Sequence, residues 1–321
     1  MNLHGGITAP KPQCRHDSEI RPHRVHPRLA WFDSEAEKSS HRQGIAWLRV
    51  LPFIALHIAC LAVFWVGYSN AALIALVVTY AVRMFAITGF YHRYFSHKTF
   101  KTHPWVETVF AFIGASSSQR GALWWAAHHR KHHRHSDTEE DLHSPRHGFW
   151  QSHMAWFLRH EAFATDYTVI QDFAKRPALR WLNRFDIVAP FTLAVLLFSL
   201  GTLLERFAPG LGTTGPQLLV WGFVLSTVLL FHVTVSINSI AHVWGRRRYD
   251  TGDDSRNNAL LALLTFGEGW HNNHHHYPNS ARQGFFWWEI DLTYLALRTM
   301  QALGLAWDLK PVPAHVKRLT T

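Results

Sequence analysis

Cysteine is almost missing from this chain, which has only Cys14 and Cys60 among its 321 residues. Cys14 lies in a polar segment and Cys60 in an apolar run, so we expect neither a disulfide framework nor a zinc site built on cysteine. Histidine, by contrast, occurs 25 times. If the chain binds a metal, histidine must therefore supply the ligands.

Acidic residues are also few, with 22 against 32 lysines and arginines and a formal charge of +10. Such a balance indicates either nucleic acid or an anionic membrane surface as the partner. The basic, His-rich blocks of this sequence alternate with long apolar blocks, and no nucleic-acid recognition module is present. We therefore expect a membrane and no nucleic acid.

Four apolar runs are long enough to cross a hydrocarbon layer about 30 Å thick, which takes about 20 helical residues. They cover residues 45–68, 71–91, 187–204 and 218–240. Turn-forming residues at 67–70 separate the first pair, and a Gly- and Pro-rich loop at 209–216 separates the second pair. This predicts an all-α integral membrane protein with four transmembrane helices in two hairpins. Buried helices of a soluble core are the alternative, but such helices are usually shorter and interrupted by charge.

The distribution of lysine and arginine predicts the orientation. They concentrate in residues 1–44, in residues 93–184 and after Arg246, whereas the two hairpin turns contain only Arg206. By the positive-inside rule, both termini and the large central segment face the cytoplasm. We expect a multi-pass protein of a bacterial inner membrane. Its parts are a polar, basic and mostly disordered leader (1–44), a membrane domain (45–309) and a tail (310–321).

The densest histidine cluster lies between Trp124 and Asp137, in the sequence WWAAHHRKHHRHSD. On a helix, His129, His132 and His133 are related as i, i+3 and i+4, so their rings share one face. Neutral imidazole suits zinc, copper, iron and nickel, and a shared metal would explain the convergence. A basic surface loop with spare histidines is the alternative for this segment taken by itself.

Three other histidine groups lie at the same end of the predicted spans. In chain order they are His92 with His97, Asn238 with His242, and His271 with His274 and His275. The last group repeats the HxxHH spacing of the first cluster. The five-residue spacing of the first group lets both rings face inward if the helix continues or tightens slightly. Together the four groups, on one side of the membrane, indicate a single metal site.

These ordered boxes resemble those of the membrane-bound fatty acyl desaturases of the stearoyl-CoA delta-9 type, over residues 45–309. The resemblance includes the GEGWHN sequence at 267–272 and the ALGLAWD sequence at 302–308. It implies a mushroom-shaped four-helix fold with a helical cytosolic cap that carries the boxes. It also implies a diiron centre (two Fe²⁺) whose nine ligands are His92, His97, His129, His132, His133, His242, His271, His274 and His275. Asn238 matches the position that reaches one iron through water.

The implied reaction is the O₂-dependent desaturation of a saturated acyl chain to a cis-monounsaturated one, with delta-9 as the expected position. Iron with O₂ supplies an oxidant that no side chain can match. A diiron membrane hydroxylase of alkyl or lipid chains is the alternative from the same chemistry. A non-catalytic metal-binding or transport protein fits less well, because transport sites normally lie near mid-membrane and these histidines lie at helix ends.

Some positions differ from the family pattern. An Arg-Asp pair before the second box, implicated in binding the CoA head group of animal members, is Ala127 and His128 here, and an upstream Asn-Asp pair is Arg120 and Gly121. The acyl carrier therefore stays open between coenzyme A, acyl carrier protein and an intact membrane lipid. The sequence has no His-Pro-Gly-Gly signature of a haem domain. We expect a separate electron donor, a ferredoxin or a b-type cytochrome with its NAD(P)H reductase.

We expect an apolar substrate tunnel below the boxes, formed by the second and fourth helices with Gln119, Trp124 and Trp125. Interfacial anchoring is the alternative for the two tryptophans. Acidic side chains should orient the histidine rings, and the candidates are Asp137, Glu139, Glu140, Asp141, Asp254 and Glu268.

The roles of several basic side chains stay open. The candidates for contacts with a head group or an acidic donor, or for plain solvated charge, are Arg130, Lys131 and Arg134. His57 and His232 lie inside spans, where we expect each to bond a neighbouring helix.

Overall fold

The computed structural model describes residues 32–35 and 44–318, which are helical apart from short turns, loops and one two-stranded sheet. The long helices are α1 (Trp47–Val66), α2 (Asn70–Ser96), α3 (Pro104–Ala115), α4 (Ala122–His135), α7 (Val188–Phe207) and α8 (Gly215–Val243). The shorter ones are α5 (Gln171–Ala174), α6 (Pro177–Arg184), α9 (Ala259–Leu264), α10 (His271–His276) and α11 (Leu292–Ala302). Single turns of other helix types cover Pro145–His147, Gln151–Ala155, Trp156–Leu158, His160–Ala162, Pro209–Leu211 and Ala314–Lys317. The strands β1 (Lys101–Thr102) and β2 (Ala306–Trp307) pair antiparallel, with Lys101 opposite Trp307.

Four helices in the described part of the chain, α1, α2, α7 and α8, are long and apolar enough to cross a membrane. Each contains most of one predicted apolar run, and the two turns between them fall where predicted. The prediction of an all-α integral membrane protein with four spans in two hairpins is confirmed. The second helix is longer than predicted, because it continues five residues further, to Ser96.

The second hairpin is closed by glycines that let two backbones approach. A Cβ atom added at Gly201 in α7 would lie 2.4 Å from the backbone oxygen of Thr214, and one at Gly215 would lie 2.5 Å from Oγ1 of Thr202. Any larger side chain would therefore push α7 and α8 apart. Close backbone approach at small residues is how helices associate in lipid, where the hydrophobic effect offers no net attraction.

The buried Arg83 joins three parts of the bundle. Its guanidinium donates to Oγ1 of Thr227 at 2.6 Å, to Oγ of Ser226 at 2.6 Å and to the carbonyl of Ser116 at 3.2 Å. These bonds connect α2 to α8 and to the segment after α3. A cation inside a span is tolerated when neighbouring dipoles satisfy its donors, as they do here.

The last part of α2 is a π-helix, from Ala86 to Ser96. Its backbone bonds span five residues, and the last one joins the N–H of His97 to the carbonyl of His92 at 3.2 Å. Residues five apart therefore stack on one face, and the ring centroids of His92 and His97 are 4.9 Å apart. The helix continues, as one of the two expected forms required, but its turn widens and does not tighten. Short π segments often occur at functional sites.

The remaining helices form a cap on one end of the bundle. A cluster of buried apolar side chains joins the cap to the end of α2, and its fully buried members include Phe90, Tyr91, Phe95, Leu123 and Ile170. The two longer cap helices, α3 and α4, extend from this cluster. The cap therefore has a packed core directly beneath the helix that carries the densest histidine cluster.

The two predicted end segments differ in how much of each the structure describes. Almost all of the predicted leader, residues 1–44, lies outside the described residues, so its expected disorder stays a prediction. Residues 32–35 pack on α6, where the N–H of Ser34 donates to the carbonyl of Arg184 at 2.9 Å. At the other end, Nε2 of His276 lies 3.2 Å from the carbonyl of Val316, so this part of the tail packs on the cap. The proposed division of the chain at residue 309 also stays a prediction.

Candidate metal centre

Nine histidines meet where the cap joins the ends of α2 and α8. They are the nine that the sequence boxes predict, and the fold sorts them into two groups. The first group is His92, His97, His129, His133 and His274, and the second is His132, His242, His271 and His275. Within each group, the potential ligand nitrogens all lie within 4.8 Å of one another.

The first group combines three helices. Nε2 of His274 on α10 lies 3.0 Å from Nε2 of His92 on α2 and 2.9 Å from Nε2 of His133 on α4. Nε2 of His97, just after α2, lies 2.9 Å from Nε2 of His129 on α4. The π-helix and the i, i+4 spacing on α4 together aim these rings at one point.

The second group lies beside the first and shares two of its helices, α4 and α10. Nε2 of His242, at the end of α8, lies 3.0 Å from Nε2 of His271 at the start of α10. The ring of His132 is 5.9 Å from that of His242 and 5.2 Å from that of His275. The rings of His132 and His133, neighbours on α4, are 5.5 Å apart and belong to different groups. Each HxxHH box therefore contributes to both groups, which makes them adjacent.

Four carboxylates orient four of these rings through Nδ1. Asp141 lies 2.9 Å from His132, Asp137 2.9 Å from His242 and Asp253 2.6 Å from His275, and Glu268 bonds His92. An ionised carboxylate only accepts hydrogen bonds, so Nδ1 carries the proton on each ring. Nε2 of each ring then has a free lone pair that points into the centre, which is the arrangement of a metal-ligating histidine.

Three of the six predicted acidic partners have this role, namely Asp137, Asp141 and Glu268. The prediction was wrong for the others. Asp254 pairs with Arg146, Glu140 with the exposed His135, and Glu139 is exposed. Asp253 was missed, and its only sequence signal is its place in the acidic loop that also contains Asp254.

Glu268 belongs to a buried network that the sequence did not indicate. Arg93, whose side chain is 1% exposed, donates to Glu268 at 2.9 Å and to Asp291 at 3.0 Å. Nε2 of Gln283 donates to Glu268 at 2.9 Å. Burial alone would raise the pKa of Glu268, but His92 and Arg93 hold that pKa below its usual value. The carboxylate is therefore ionised beside His92.

Burial favours the neutral form of several of the rings, and one ring nitrogen has no partner. Burial, and then repulsion from neighbouring histidines, holds the pKa values of His129, His133, His271 and His274 well below the usual range. Nε2 of His275 is buried and has no hydrogen-bond partner, while its Nδ1 donates to Asp253. An orphaned buried lone pair among neutral imidazoles fits a metal ion. The two groups together fit two ions of a metal that prefers nitrogen ligands.

An apolar cavity of about 550 Å³ extends from the centre into the bundle. His92, His129, His132 and His271 line one end of it, and Phe223 marks its reach along α8. Gln119, Trp124 and Trp125 line this cavity as well, and α2 and α8 contribute to it as predicted. Residues of α1 and α7 also line it, so the expectation of a wall from the second and fourth helices was incomplete.

The tryptophans at this cavity belong to its wall and to the cap core. Trp124 is 5% exposed, and its Nε1–H donates to the carbonyl of Ala162 at 2.7 Å. Trp125 stacks on His129 with a centroid distance of 5.0 Å. Interfacial anchoring was the alternative for both residues, and their positions do not support it. Asn238 lines the cavity near His271, as its place one turn before His242 requires.

The basic residues of the second box have local partners. Arg130 donates to both carboxylate oxygens of Asp172 at 3.0 Å, and to backbone carbonyls near the end of α2. Arg130 therefore holds α4 against the end of α2. Neither of its two expected roles, contact with a head group or electron donor and plain solvated charge, describes it. Lys131 pairs with Asp166 at 2.6 Å, and Arg134 is exposed. The ring of His128 lies 3.1 Å from the carbonyl of Ala162.

Comparisons with known proteins agree with this geometry. Residues 69–308 match the family model for fatty acid desaturases. The chain is 37% identical to an sn-1 stearoyl-lipid 9-desaturase of Anabaena variabilis, over 85% of this chain and 96% of that one. It is 37% identical to an icosanoyl-CoA 5-desaturase of Limnanthes douglasii, over 83% and 73% of the two chains. It is also 37% identical to a chloroplastic palmitoyl-monogalactosyldiacylglycerol delta-7 desaturase of Arabidopsis thaliana, over 74% of this chain and 61% of that protein's length. The chain therefore belongs to the fatty acid desaturase family.

Proposed function

We propose that this desaturase introduces a cis double bond into a saturated fatty acyl chain at a diiron centre held by the nine histidines. The observation that carries the proposal is the position of two adjoining histidine groups beside an apolar cavity that four of these histidines line. Asn238, at the boundary between the centre and the cavity, is proposed to reach one metal through water. Iron, with its preference for imidazole among nitrogen donors, suits both groups.

The net reaction removes two hydrogens from neighbouring methylenes. The saturated chain, O₂, two electrons and two protons give the alkene and two molecules of water. When bound here, iron supplies the reaction of O₂ that makes this oxidation possible. The electrons come from a separate protein, for which we propose a ferredoxin or a b-type cytochrome with its NAD(P)H reductase.

The protein itself contributes by positioning the acyl chain beside the centre and by excluding water from it. His92, His129, His132 and His271 line the cavity and belong to the two groups that would hold the metal. The cavity walls are mostly apolar, so water finds few hydrogen-bond partners there. An acyl chain fits such a cavity, and a methylene pair is held beside the centre. The carboxylates behind four of the rings fix their tautomers, so these four rings do not have to reorient when metal or substrate binds.

The depth of the cavity determines which carbons reach the centre. The separation of Phe223 and Asn238 along α8 corresponds to roughly 22 Å at about 1.5 Å per residue. This length limits how much of the acyl chain can extend past the histidines, and so which carbons lie beside them. Relatives are named for positions 9, 7 and 5. We propose position 9 for this protein, in keeping with the stearoyl-lipid desaturase.

The cap end of the bundle is proposed to face the cytoplasm of a bacterium, since lysine and arginine concentrate there. The hairpin turns then lie outside the inner membrane. This orientation places the centre where soluble electron donors are available.

The test is expression in a bacterial host that makes only saturated chains, followed by lipid analysis with double-bond localisation by mass spectrometry. We expect new cis-monounsaturated chains with one dominant position, and about two irons per chain in the purified protein. His132→Ala should abolish the product, because it removes a ring of the second group. His135→Ala is the matched control on the same helix, since the side chain of His135 pairs with Glu140 at the surface and belongs to neither histidine group. A hydroxylated product would instead establish the hydroxylase, and full activity of His132→Ala would refute the ligand role of this residue.

A further inference from the structure

The two histidine groups differ in the charge that lies behind their rings. In the second group, three of the four rings pair through Nδ1 with a carboxylate, namely Asp137, Asp141 or Asp253. In the first group, His92 pairs with Glu268, and no other ring of that group pairs with a carboxylate among the described residues. Three carboxylates therefore lie behind the four rings of the second group, and one lies behind the five rings of the first.

The three carboxylates of the second group keep their charge, because their other partners are neutral. Asp137 accepts from Oγ of Ser144 and from the backbone N–H of Asp254, both at 2.8 Å. Asp141 accepts from two backbone N–H groups at 3.1 and 3.2 Å, and Asp253 accepts from a hydroxyl group at 2.7 Å and a backbone N–H group at 3.0 Å. None of the three carboxylates pairs with a lysine or arginine that the structure describes. Neutral donors stabilise a carboxylate without cancelling its charge.

Glu268, behind the first group, has a cation against it. Nε and Nη2 of Arg93 donate to Oε1 of Glu268 at 3.2 and 2.9 Å, and both side chains are buried. Arg93 also pairs with Asp291 at 3.0 Å. Two carboxylates and one guanidinium give this network a net charge of −1, whereas the three carboxylates of the second group together carry −3. The ligands of both groups are neutral imidazoles, so the difference in charge comes from these outer residues.

Charged side chains further out do not remove this difference. Asp172, next to the first group, pairs with Arg130 and a neighbouring lysine. Asp254, next to the second group, pairs with Arg146 and Arg247. Each group thus has one outer carboxylate between two cations. The three inner carboxylates of the second group are 1%, 2% and 5% exposed, and buried charges of one sign without a cation are costly. A metal ion held by the second group is the cation that would offset them.

From this difference we propose that the two metal positions are electrostatically unequal, and that the second group holds the ion of higher charge whenever the two ions differ. This inference rests on the diiron centre proposed above and describes how its two halves divide the charge. By Coulomb's law, raising an ion from Fe²⁺ to Fe³⁺ gains energy in proportion to the negative charge around it. Imidazole is neutral, so the extra ring of the first group does not offset the extra carboxylates of the second.

This inequality gives the two electrons of the reaction an order. The ion of the second group loses its electron first on oxidation and regains it last on reduction. The proposed donors, a ferredoxin or a b-type cytochrome, deliver one electron per encounter. The first electron therefore converts Fe³⁺ to Fe²⁺ in the first group, and the second electron does the same in the second group.

Crystals of the half-oxidised protein test this inference directly. The iron-loaded full-length protein, reduced without O₂, receives one equivalent of ferricenium per chain, which removes one electron from each centre. Anomalous diffraction at several energies then gives the iron absorption edge at each position separately, because Fe³⁺ absorbs at higher energy than Fe²⁺. We expect the higher-energy edge at the second group. The higher edge at the first group, or one edge energy at both positions, would overturn the inference and leave the diiron centre intact. Fewer than two irons at the nine histidines would refute both.

A redox titration of Asp137→Asn in solution is the second readout. The amide oxygen can still accept from His242 and from the N–H of Asp254, and the amide can donate to Ser144, so the ring stays oriented while one charge is lost. Loss of negative charge disfavours Fe³⁺ in the second group. The potential of the first one-electron oxidation should therefore rise by at least about 59 mV, a tenfold change in the equilibrium constant, and the second oxidation should move less.

Asp254→Asn is the matched control, because it removes a carboxylate that two arginines already offset. It should move both oxidation steps less than Asp137→Asn moves the first. Iron is counted in every sample, so that only chains with two irons are compared. A larger shift of the second step in Asp137→Asn, or equal shifts in the two variants, would contradict the inference.

Discussion

Single carboxylates determine how the histidines of this centre present their lone pairs. Asp253 shows this most directly, because it accepts from Nδ1 of His275 at 2.6 Å while Nε2 of the same ring has no partner. Burial alone would raise the pKa of Asp253, but His275 and two nearby hydroxyl groups hold it well below its usual value. The charge therefore stays on the carboxylate and the ring stays neutral. The ring is then prepared to bind metal before any metal arrives.

Asp253→Asn tests this arrangement. The amide oxygen can still accept the bond from His275, but the negative charge that makes the ring a better ligand is lost. We expect metal affinity to fall by about 10- to 100-fold, which is the usual cost of losing such a partner. The measurement is iron retention against a chelator. Asp254→Asn is the matched control, since the neighbouring carboxylate pairs with Arg146 and contacts none of the nine histidines through its side chain. Equal iron loss in both variants would show that Asp253 has no special role in metal binding.

Residue spacing predicted the histidines better than their partners, for a physical reason. The i, i+3 and i+4 rule is local, so His129, His132 and His133 share a face on any helix. Asp253 and Gln283 approach the centre from loops, where their positions depend on how the whole cap packs. No local pattern separates Asp253 from Asp254. Long-range packing alone decides which of the two carboxylates meets His275.

The apolar helices and their order followed from hydropathy, but their fine geometry did not. Length and composition predict a span because lipid forces every backbone group to bond within the helix. The widening of α2 from Ala86 onward satisfies that requirement equally well, so hydropathy cannot detect it. Only the five-residue spacing of His92 and His97 carried a hint of it.

Helices α1 and α8 are joined by a chain of histidines. Nδ1 of His57 donates to the carbonyl of Phe53 at 2.8 Å, so its Nε2 accepts from Nε2 of His232 at 3.0 Å. Nδ1 of His232 then accepts from Nε2 of His153 at 3.1 Å, and Ser239 lies 2.9 Å from Nδ1 of His153. Each ring therefore has one donor and one acceptor satisfied. The expectation that His57 and His232 bond neighbouring helices is met by this chain.

His232→Leu breaks the chain in the middle. Nε2 of His57 and Nε2–H of His153 lose their partner, and each unsatisfied buried group costs about 1–3 kcal/mol. We expect the melting temperature of the purified protein to fall by several degrees. Its iron content should not change, since His232 belongs to neither of the two histidine groups. Thermal unfolding followed by tryptophan fluorescence measures this. The variant His57→Leu with His232→Leu should recover part of the loss, because one orphaned group is then removed. No change in either variant would show that the chain contributes nothing to stability.

At the scale of the whole molecule, charge and apolarity are separated along one axis. Within residues 32–35 and 44–318, the nine clustered histidines, their acidic partners and nearly all of the lysines and arginines lie at the cap end, and the opposite end has two short turns. The cavity connects the two regions, with its polar end at the metal centre and its apolar end among the spans. This separation follows from the solvent on each side, because ionic groups are costly in hydrocarbon. Because the centre lies at one end of the molecule, the orientation of the protein determines which side of the membrane the electron donor must be on.

Reporter fusions at two glycines test that orientation. Gly210 lies in the turn between α7 and α8, and Gly148 lies in the cap, and a Cβ atom at either position would meet nothing within 4 Å. Insertions at both should therefore leave the fold intact. A periplasmic reporter should be active at Gly210 and inactive at Gly148, because the abundant lysines and arginines keep the cap in the cytoplasm. A cytoplasmic reporter should give the opposite pattern. The same signal at both glycines would mean that α7 and α8 do not cross as a hairpin, and the reverse pattern would place the histidines on the periplasmic side, away from cytoplasmic reductants.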